Sequence, residues 1–169
     1  MGTPMDNALL DHLIAEVIAH SSRRVEEGGI PFAALVVDHE GEILGRGVNL
    51  AEADHDPIAH AEVVVIRDAC RHRKSVHLHD SLLIASGEPC ALCYVAALYA
   101  GIGEVVFAAD REEAAKGGFD YRSSYHLLNR DPAAWPLKCR HYRHAGSARP
   151  FKTWREIHRD EPSVIPELP

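Results

Sequence analysis

The amino-acid sequence predicts an α/β fold, a three-layer α/β/α sandwich around a mixed central sheet. Three observations lead there. A long stretch of helical periodicity opens the chain, and two short β-rich runs then flank a turn as an antiparallel hairpin. From about residue 57 onward, helical and strand-like segments alternate, the pattern of parallel strands covered by helices.

In residues 6–27, Leu9, Leu10, Leu13, Ile14, Val17, Ile18 and Val25 recur at helical spacing. Asp6 or Asn7 caps the start, and Gly28-Gly29 stops the helix. Residues 32–37 form an apolar β-rich run, Asp38-His39-Glu40-Gly41 a turn, and residues 43–49 the return strand. Asp56 then caps a helix with Pro57 at its first position, where a missing N–H costs nothing, and the helix runs to about His72. A polar connection over residues 71–80 leads into a buried-type strand at 81–86, carried by Leu82, Leu83 and Ile84. Glu88-Pro89 opens another helix, from Cys90 to about Ala100, ended by Gly101, and residues 105–109 form a further strand. After Asp110 the pattern is weaker. It gives a helical turn at 111–116, a short helix near 123–129, an edge strand or loop at 135–142, and a helix at 150–158 with Phe151 and Trp154 on one face. Three prolines in residues 161–169 oppose regular structure in the tail. No internal repeat, low-complexity tract or linker divides the chain, so one domain is expected over residues 1–169.

A chain of 169 residues buries enough surface to fold without a metal or disulfides. Its 46% apolar and 25% charged residues are globular, and the longest apolar runs, such as residues 92–100, are too short to span a bilayer. The N-terminus lacks the basic-then-apolar order of a secretory signal. Two of the four cysteines form the Cys90–Cys93 pair, and Cys70 and Cys139 show no disulfide framework, so a reducing, cytoplasmic compartment is expected. The formal charge of −7 argues against a broad nucleic-acid surface. The modestly basic residues 140–149 read as a solvated loop.

The chemistry gathers between Asp56 and Cys93. One imidazole (His60) and two thiols (Cys90, Cys93) are a donor set that suits zinc. Three protein ligands leave a fourth tetrahedral position open, as in a catalytic rather than a structural site. Singly, these residues would read as a buried histidine and core cysteines. Together, each ligand group opens a predicted helix after a proline. His60 and Glu62 would diverge on a regular helix, so they must act from its opening turn with the metal off its end. Cys90 and Cys93, three apart, face one side of the next helix's first turn, whose positive end favours thiolate. Glu62 is not needed as a ligand, and a spare carboxylate beside activated water serves proton transfer.

The combination H-x-E followed by P-C-x-x-C is the signature of zinc base deaminases. On it, and on Pro31-Phe32-Ala33, Gly47-Val48-Asn49, Asp56-Pro57-Ile58-Ala59-His60-Ala61-Glu62 and Glu88-Pro89-Cys90-Ala91-Leu92-Cys93, the chain resembles the cytidine deaminase-like superfamily over about residues 30–110. It is most similar there to bacterial guanine deaminases and next to tRNA adenosine deaminases. Gly118-Phe119-Asp120 and the later Phe151…Trp154-Arg155 resemble the free-base branch alone. The resemblance implies a cytidine deaminase-like fold with zinc on His60, Cys90 and Cys93 and no organic cofactor. It makes Glu62 the group that takes a proton from the attacking water and passes it to the ring nitrogen and departing amine. Asn49 would bond the base edge and Asp120 orient it, with Phe32, Ala61 and Trp154 as further base contacts. It also implies a homodimer in which the C-terminal segment, about residues 119–169, completes the pocket and is exchanged between subunits.

The expected activity is hydrolytic deamination of a free aminated nucleobase, releasing ammonia. The chain departs from guanine deaminases at Ala33, usually Gly, at Ile58, usually polar, and in lacking an aromatic near its C-terminus. The base is therefore left open among a guanine-like purine and a related pyrimidine or triazine. Residue by residue, Asn49 also reads as a strand end or turn cap, Asp120 as a turn residue, Phe32 as a core strand residue and Trp154 as packing. Two other readings stand beside this one. A tRNA-specific adenosine deaminase needs phosphate contacts that a net charge of −7 disfavours. A non-catalytic zinc-binding module is disfavoured by Glu62 and the open ligand position.

Overall fold

The computed structural model describes residues 5–159. Its first helix, α1 (Asn7–Glu26), buries Leu13 and Val17 from the predicted apolar stripe. The hairpin follows as β1 (Ala33–Asp38) and β2 (Ile43–Val48). Asp38 makes the turn between them, its Oδ1 accepting from the N–H groups of Glu40 and Glu42 at 3.0 and 2.9 Å. Then come α2 (Ala61–Arg73), β3 (Ser81–Gly87), α3 (Ala91–Tyr99) and β4 (Glu104–Ala109). The strand order is β2-β1-β3-β4. Central β1 runs antiparallel to both neighbours, and β3 pairs in parallel with β4 across the α3 crossover. The sheet is mixed, as expected.

Alternation along β1 and β3 builds the layers. Ala33, Leu35, Val37 and Ile84 pack with Leu13 and Val17 of α1. Ala34, Val36, Leu83 and Ala85 pack with Ala61, Val65 and Ala69 of α2 and Ala97 of α3. These two buried clusters are the two interfaces of an α/β/α sandwich. A slip of one residue in β1 would exchange its two faces, so the register is well specified.

One helix start differs from the sequence expectation. The predicted helix from Pro57 begins instead at Ala61. Asp56 spends its carboxylate on a local turn, with Oδ1 accepting from the Ile58 N–H at 3.0 Å, while its carbonyl takes the Ala59 N–H. An Asx turn and an N-cap have the same sequence signature, and here the turn wins.

Beyond the sheet come α4 (Arg111–Lys116), α5 (Ser123–Leu128), a 3-10 turn at Pro132–Ala134 and α6 (Arg149–Ile157). Asp110 and Glu113 form a reciprocal capping box at the start of α4. Residues 135–142 take the loop alternative, and residues 140–149 are exposed. The expected irregular tail at 161–169 lies outside the described residues. No described helix is long and apolar enough to cross a membrane.

Candidate metal and active site

His60 and Cys90 occupy equivalent places. Each is the N-cap of its helix, α2 or α3, in extended backbone conformation, and neither uses its side chain to cap. Both side chains are therefore free to point off the helix ends into a shared space, where Cys93 joins them from the first turn of α3. His60 Nδ1 lies 3.5 Å from Cys90 Sγ and 3.4 Å from Cys93 Sγ, and the two sulfurs are 3.5 Å apart. Zinc–ligand lengths and tetrahedral angles require N–S and S–S edges of about 3.6 and about 3.8 Å. The three donors fit a zinc ion. Among the described residues no fourth His, Cys, Asp or Glu joins the group.

The acid–base character of the site follows from burial and contact. Burial pushes the Glu62 carboxyl above the usual range, and the Cys93 thiol donates to its Oε2 at 3.3 Å. The hydrogen bond from Cys93, with His60 beside it, pulls Cys90 down to about 4 against the opposing effect of burial. Cys93 is pushed up by Cys90 and by burial. The contact with Cys90 raises His60.

A cavity of about 110 Å³ opens on this group, lined by Ile30, Phe32, Asn49, Glu88 and Tyr121 as well as His60, Glu62, Cys90 and Cys93. Its two carboxylates have different environments. Glu88 has both oxygens engaged by Arg111, through the backbone N–H at 2.8 Å, Nε at 2.9 Å and Nη2, and this hydrogen bonding holds it below the usual range. Glu62 is raised, and among the described residues no cationic side chain bonds it. The two carboxylates of one pocket are thus pushed in opposite directions, Glu62 up by burial and Glu88 down by Arg111.

Asn49 is buried and lines the cavity. Its Oδ1 accepts from the Ala51 N–H at 3.1 Å, so the amide oxygen is already engaged and the NH2 is the group left to donate. The residue thus makes the turn and also lines the pocket. Phe32 packs on the core and lines the pocket, with Phe119 and Tyr121 edge-on at 5.3 and 6.2 Å. The remaining expected contacts do not line this cavity within the chain. Ala61 is fully buried in the core. Asp120 is exposed and paired with Arg122 at 2.7 Å, and it does not line the cavity. Trp154 sits on α6, stacked on His158 at 4.5 Å, and is likewise absent from the lining.

Sequence reasoning missed Glu88, Arg111, Tyr121, Ser124 and Tyr125, which surround the cysteine-bearing loop. Only Glu88 carried a signal, its place beside Pro89 and Cys90. The others act across more than twenty residues and leave no local pattern.

The model of the cytidine and deoxycytidylate deaminase zinc-binding region matches residues 9–109. Guanine deaminase of Bacillus subtilis is 34% identical over 129 residues, 76% of this chain and 82% of that protein. Its crystal structure superposes with a TM-score of 0.80 at 28% identity, covering 98% of this chain and 100% of the other. The tRNA-specific adenosine deaminase of Aquifex aeolicus is 33% identical over 99 residues, 59% of this chain and 65% of that one. The tRNA(Ile)-lysidine synthase of Deinococcus radiodurans is 36% identical over 119 residues, 70% of this chain, but the chain spans 20% of its length.

Proposed function

The chain belongs to the cytidine and deoxycytidylate deaminase zinc-binding family, and from that premise we propose that it deaminates a free aminated nucleobase by hydrolysis. The observation that carries the reading is a buried, cation-free Glu62 beside three donors spaced for zinc, at the end of a small cavity walled by aromatic rings. His60, Cys90 and Cys93 hold the metal. Zinc supplies the Lewis acidity that makes water a nucleophile at neutral pH, lowering its pKa to about 7.

The protein's own groups do the rest. Glu62 takes the proton released as water adds to the ring carbon bearing the amino group. It passes that proton to the adjacent ring nitrogen, then takes the remaining proton of the added hydroxyl and delivers it to the amine, so that a C=O bond forms as the C–N bond breaks and ammonia leaves. Its raised pKa lets it hold the proton between these transfers. The Asn49 amide donates to an acceptor on the base edge, and Phe32 and Tyr121 confine the flat ring.

Two features support a free base over a base within tRNA: the net charge of −7 and the near-complete superposition on a guanine deaminase. The second reading, a tRNA-specific adenosine deaminase, is favoured by identities of 33% and 38% to such enzymes. An ammonia-release screen of the zinc-loaded protein decides between them. It covers guanine, isoguanine, adenine, cytosine, their nucleosides and amino-triazines, with a tRNA anticodon stem-loop assayed for inosine alongside. Turnover of a free base is the expected result, and inosine formed in the stem-loop without free-base turnover would overturn it. The same proposal includes a homodimer acting in the cytoplasm on a small-molecule base, and sedimentation of the purified chain tests the dimer.

A further inference from the structure

The loop between β3 and α3 carries the first metal thiol, and four backbone polar groups along it are held by the end of β4 and the segment that follows. The Glu88 N–H donates to the Ala109 carbonyl at 2.8 Å. The Tyr121 hydroxyl donates to the Glu88 carbonyl at 2.6 Å, and the Tyr125 hydroxyl donates to the Pro89 carbonyl. The Ala91 N–H, at the start of α3, donates to Ser124 Oγ at 3.2 Å. The Glu88 carboxylate, almost fully buried, takes three N–H groups of Arg111, whose guanidinium lies 3.9 Å above the Tyr125 ring. Arg111 thus joins the buried carboxylate to an aromatic ring that itself grips the residue before Cys90.

We propose that Glu88 and Arg111, seated on Tyr125, are positioning residues that fix the backbone of Cys90 and Cys93 so that both sulfurs meet the metal at the right separation. The proposal rests on the zinc-site reading and extends it to residues outside the ligand set. The physical reason is that Pro89 donates no backbone hydrogen bond, so this stretch lacks a ladder partner at the point where a thiolate must be placed to within about half an ångström. Side chains supply the missing constraint. The planar guanidinium fixes Glu88 through two bonds, from Nε and Nη2, that converge on Oε1 while the Arg111 backbone N–H holds Oε2, and it stacks on the ring at the same time, a combination that lysine cannot reproduce.

The test compares the full chain with Arg111→Ala, Arg111→Lys, Glu88→Gln and Tyr125→Phe. Zinc affinity is measured by chelator competition, the Co2+-substituted protein is read by its thiolate charge-transfer and d–d absorption, and the metal-free protein is melted. Arg111→Ala and Glu88→Gln should each weaken zinc binding by about 10–100-fold, the usual cost of losing support behind a ligand. Their Co2+ spectra should shift. Arg111→Lys should recover only part of the loss, and Tyr125→Phe, which keeps the ring and removes the hydroxyl, should show a smaller one. Zinc affinity within twofold of the parent and an unchanged Co2+ spectrum, with only the metal-free melting point lowered, would overturn the proposal, because the clamp would then be serving the fold alone. Should Arg111→Ala fail to fold, the near-isosteric Glu88→Gln and Tyr125→Phe carry the same comparison. None of these readouts uses a substrate. A failed ammonia screen beside a normal zinc titration would strike the deamination reading and leave this one standing.

Discussion

Gly47 offers a direct test of how tightly the sheet sets the site. It lies in β2 with a backbone that any residue can adopt, so alanine meets no conformational penalty there. A Cβ at this position would stand 2.7 Å from the Ala61 carbonyl oxygen and 2.9 Å from the Val65 N. Both are backbone atoms of the first turns of α2 and cannot rotate away. Restoring an ordinary contact of 3.4 Å moves that turn by about 0.7 Å. Ala61 sits between His60 and Glu62, so the displacement falls on a metal ligand and the proton carrier together, and it exceeds the roughly 0.5 Å that a catalytic constellation tolerates. Overpacking costs about 1–3 kcal/mol, offset by about 0.4–1 kcal/mol from the reduced freedom of the unfolded chain. The net loss of up to about 2.6 kcal/mol lowers the melting point by up to about 10 °C in a chain of this size. Zinc affinity should fall by about tenfold or more, and kcat/KM on whichever base the screen identifies by roughly 10². Gly45→Ala is the control. Its Cβ meets Ala69 N, Asp68 Oδ2 and Val65 O, all at 3.1 Å, farther along α2 from His60. It should cost some stability and change zinc affinity less than about threefold. Equal zinc loss in the two variants, or parental zinc affinity in Gly47→Ala, would refute the reasoning.

Glu62→Gln should keep zinc bound but lose about 10²–10⁴ in kcat, and full turnover would remove Glu62 from the mechanism. Stripping zinc with a chelator should abolish turnover. Restoring free zinc to a hundredfold above its Kd should add about 2.7 kcal/mol of stability, or about 5–11 °C, and a zinc-independent melting point would count against the site. Hydrogen bonds from Arg122 hold Asp120 at about 2, below its ordinary 3.8. That pairing therefore favours the folded state above the ordinary carboxyl pKa and is lost as pH falls through the lowered one. Arg122→Ala should return the Asp120 carboxyl resonance midpoint to about 3.9 in an NMR titration, and a midpoint that stays put would show another cause. Trp154→Ala, on a helix exposed along its whole length, should change stability by less than about 0.5 kcal/mol. A lost turnover in that variant would place Trp154 at the pocket of a second subunit.

What could be read in the sequence is what local chemistry writes there. The hairpin announced itself through Asp38-His39-Glu40-Gly41 between two β-rich runs, and α1 through its apolar spacing. The three metal donors announced themselves through their positions at helix openings. Asp56 misled because a carboxylate that bonds the N–H two residues on makes an Asx turn as readily as it caps a helix. Asp120 is likewise engaged locally. Its glycine-rich neighbourhood carried the resemblance, yet the side chain turns to Arg122, and the next residue, Tyr121, lines the cavity. The clamp on the 88–91 loop was illegible for a different reason. A tyrosine hydroxyl bonding a carbonyl 33 residues away obeys no periodicity, and such contacts exist only once β4 has placed the 110–125 segment beside β3.

The two helix starts also explain how one site can hold a metal, two thiolates and a further carboxylate. Each N-terminus contributes roughly half a positive charge, and the N-cap side chains of α2 and α3, His60 and Cys90, meet at 3.5 Å. Two thiolates neutralise a divalent ion. The paired helix ends are then left to offset the charge of Glu62, which is 4% exposed and would otherwise be costly to ionise. In the proposed reaction, proton uptake by Glu62 would tip that balance positive at the moment when water addition drives negative charge onto the ring. On that proposal the fold would supply its electrostatic help in the transition state more than in the resting site, which is the condition for helping the rate. It does so with backbone dipoles that need not reorganise. That is a physical reason for both ligand-bearing segments to end as uncapped helix N-termini, with the side chains that would have capped them given to the metal.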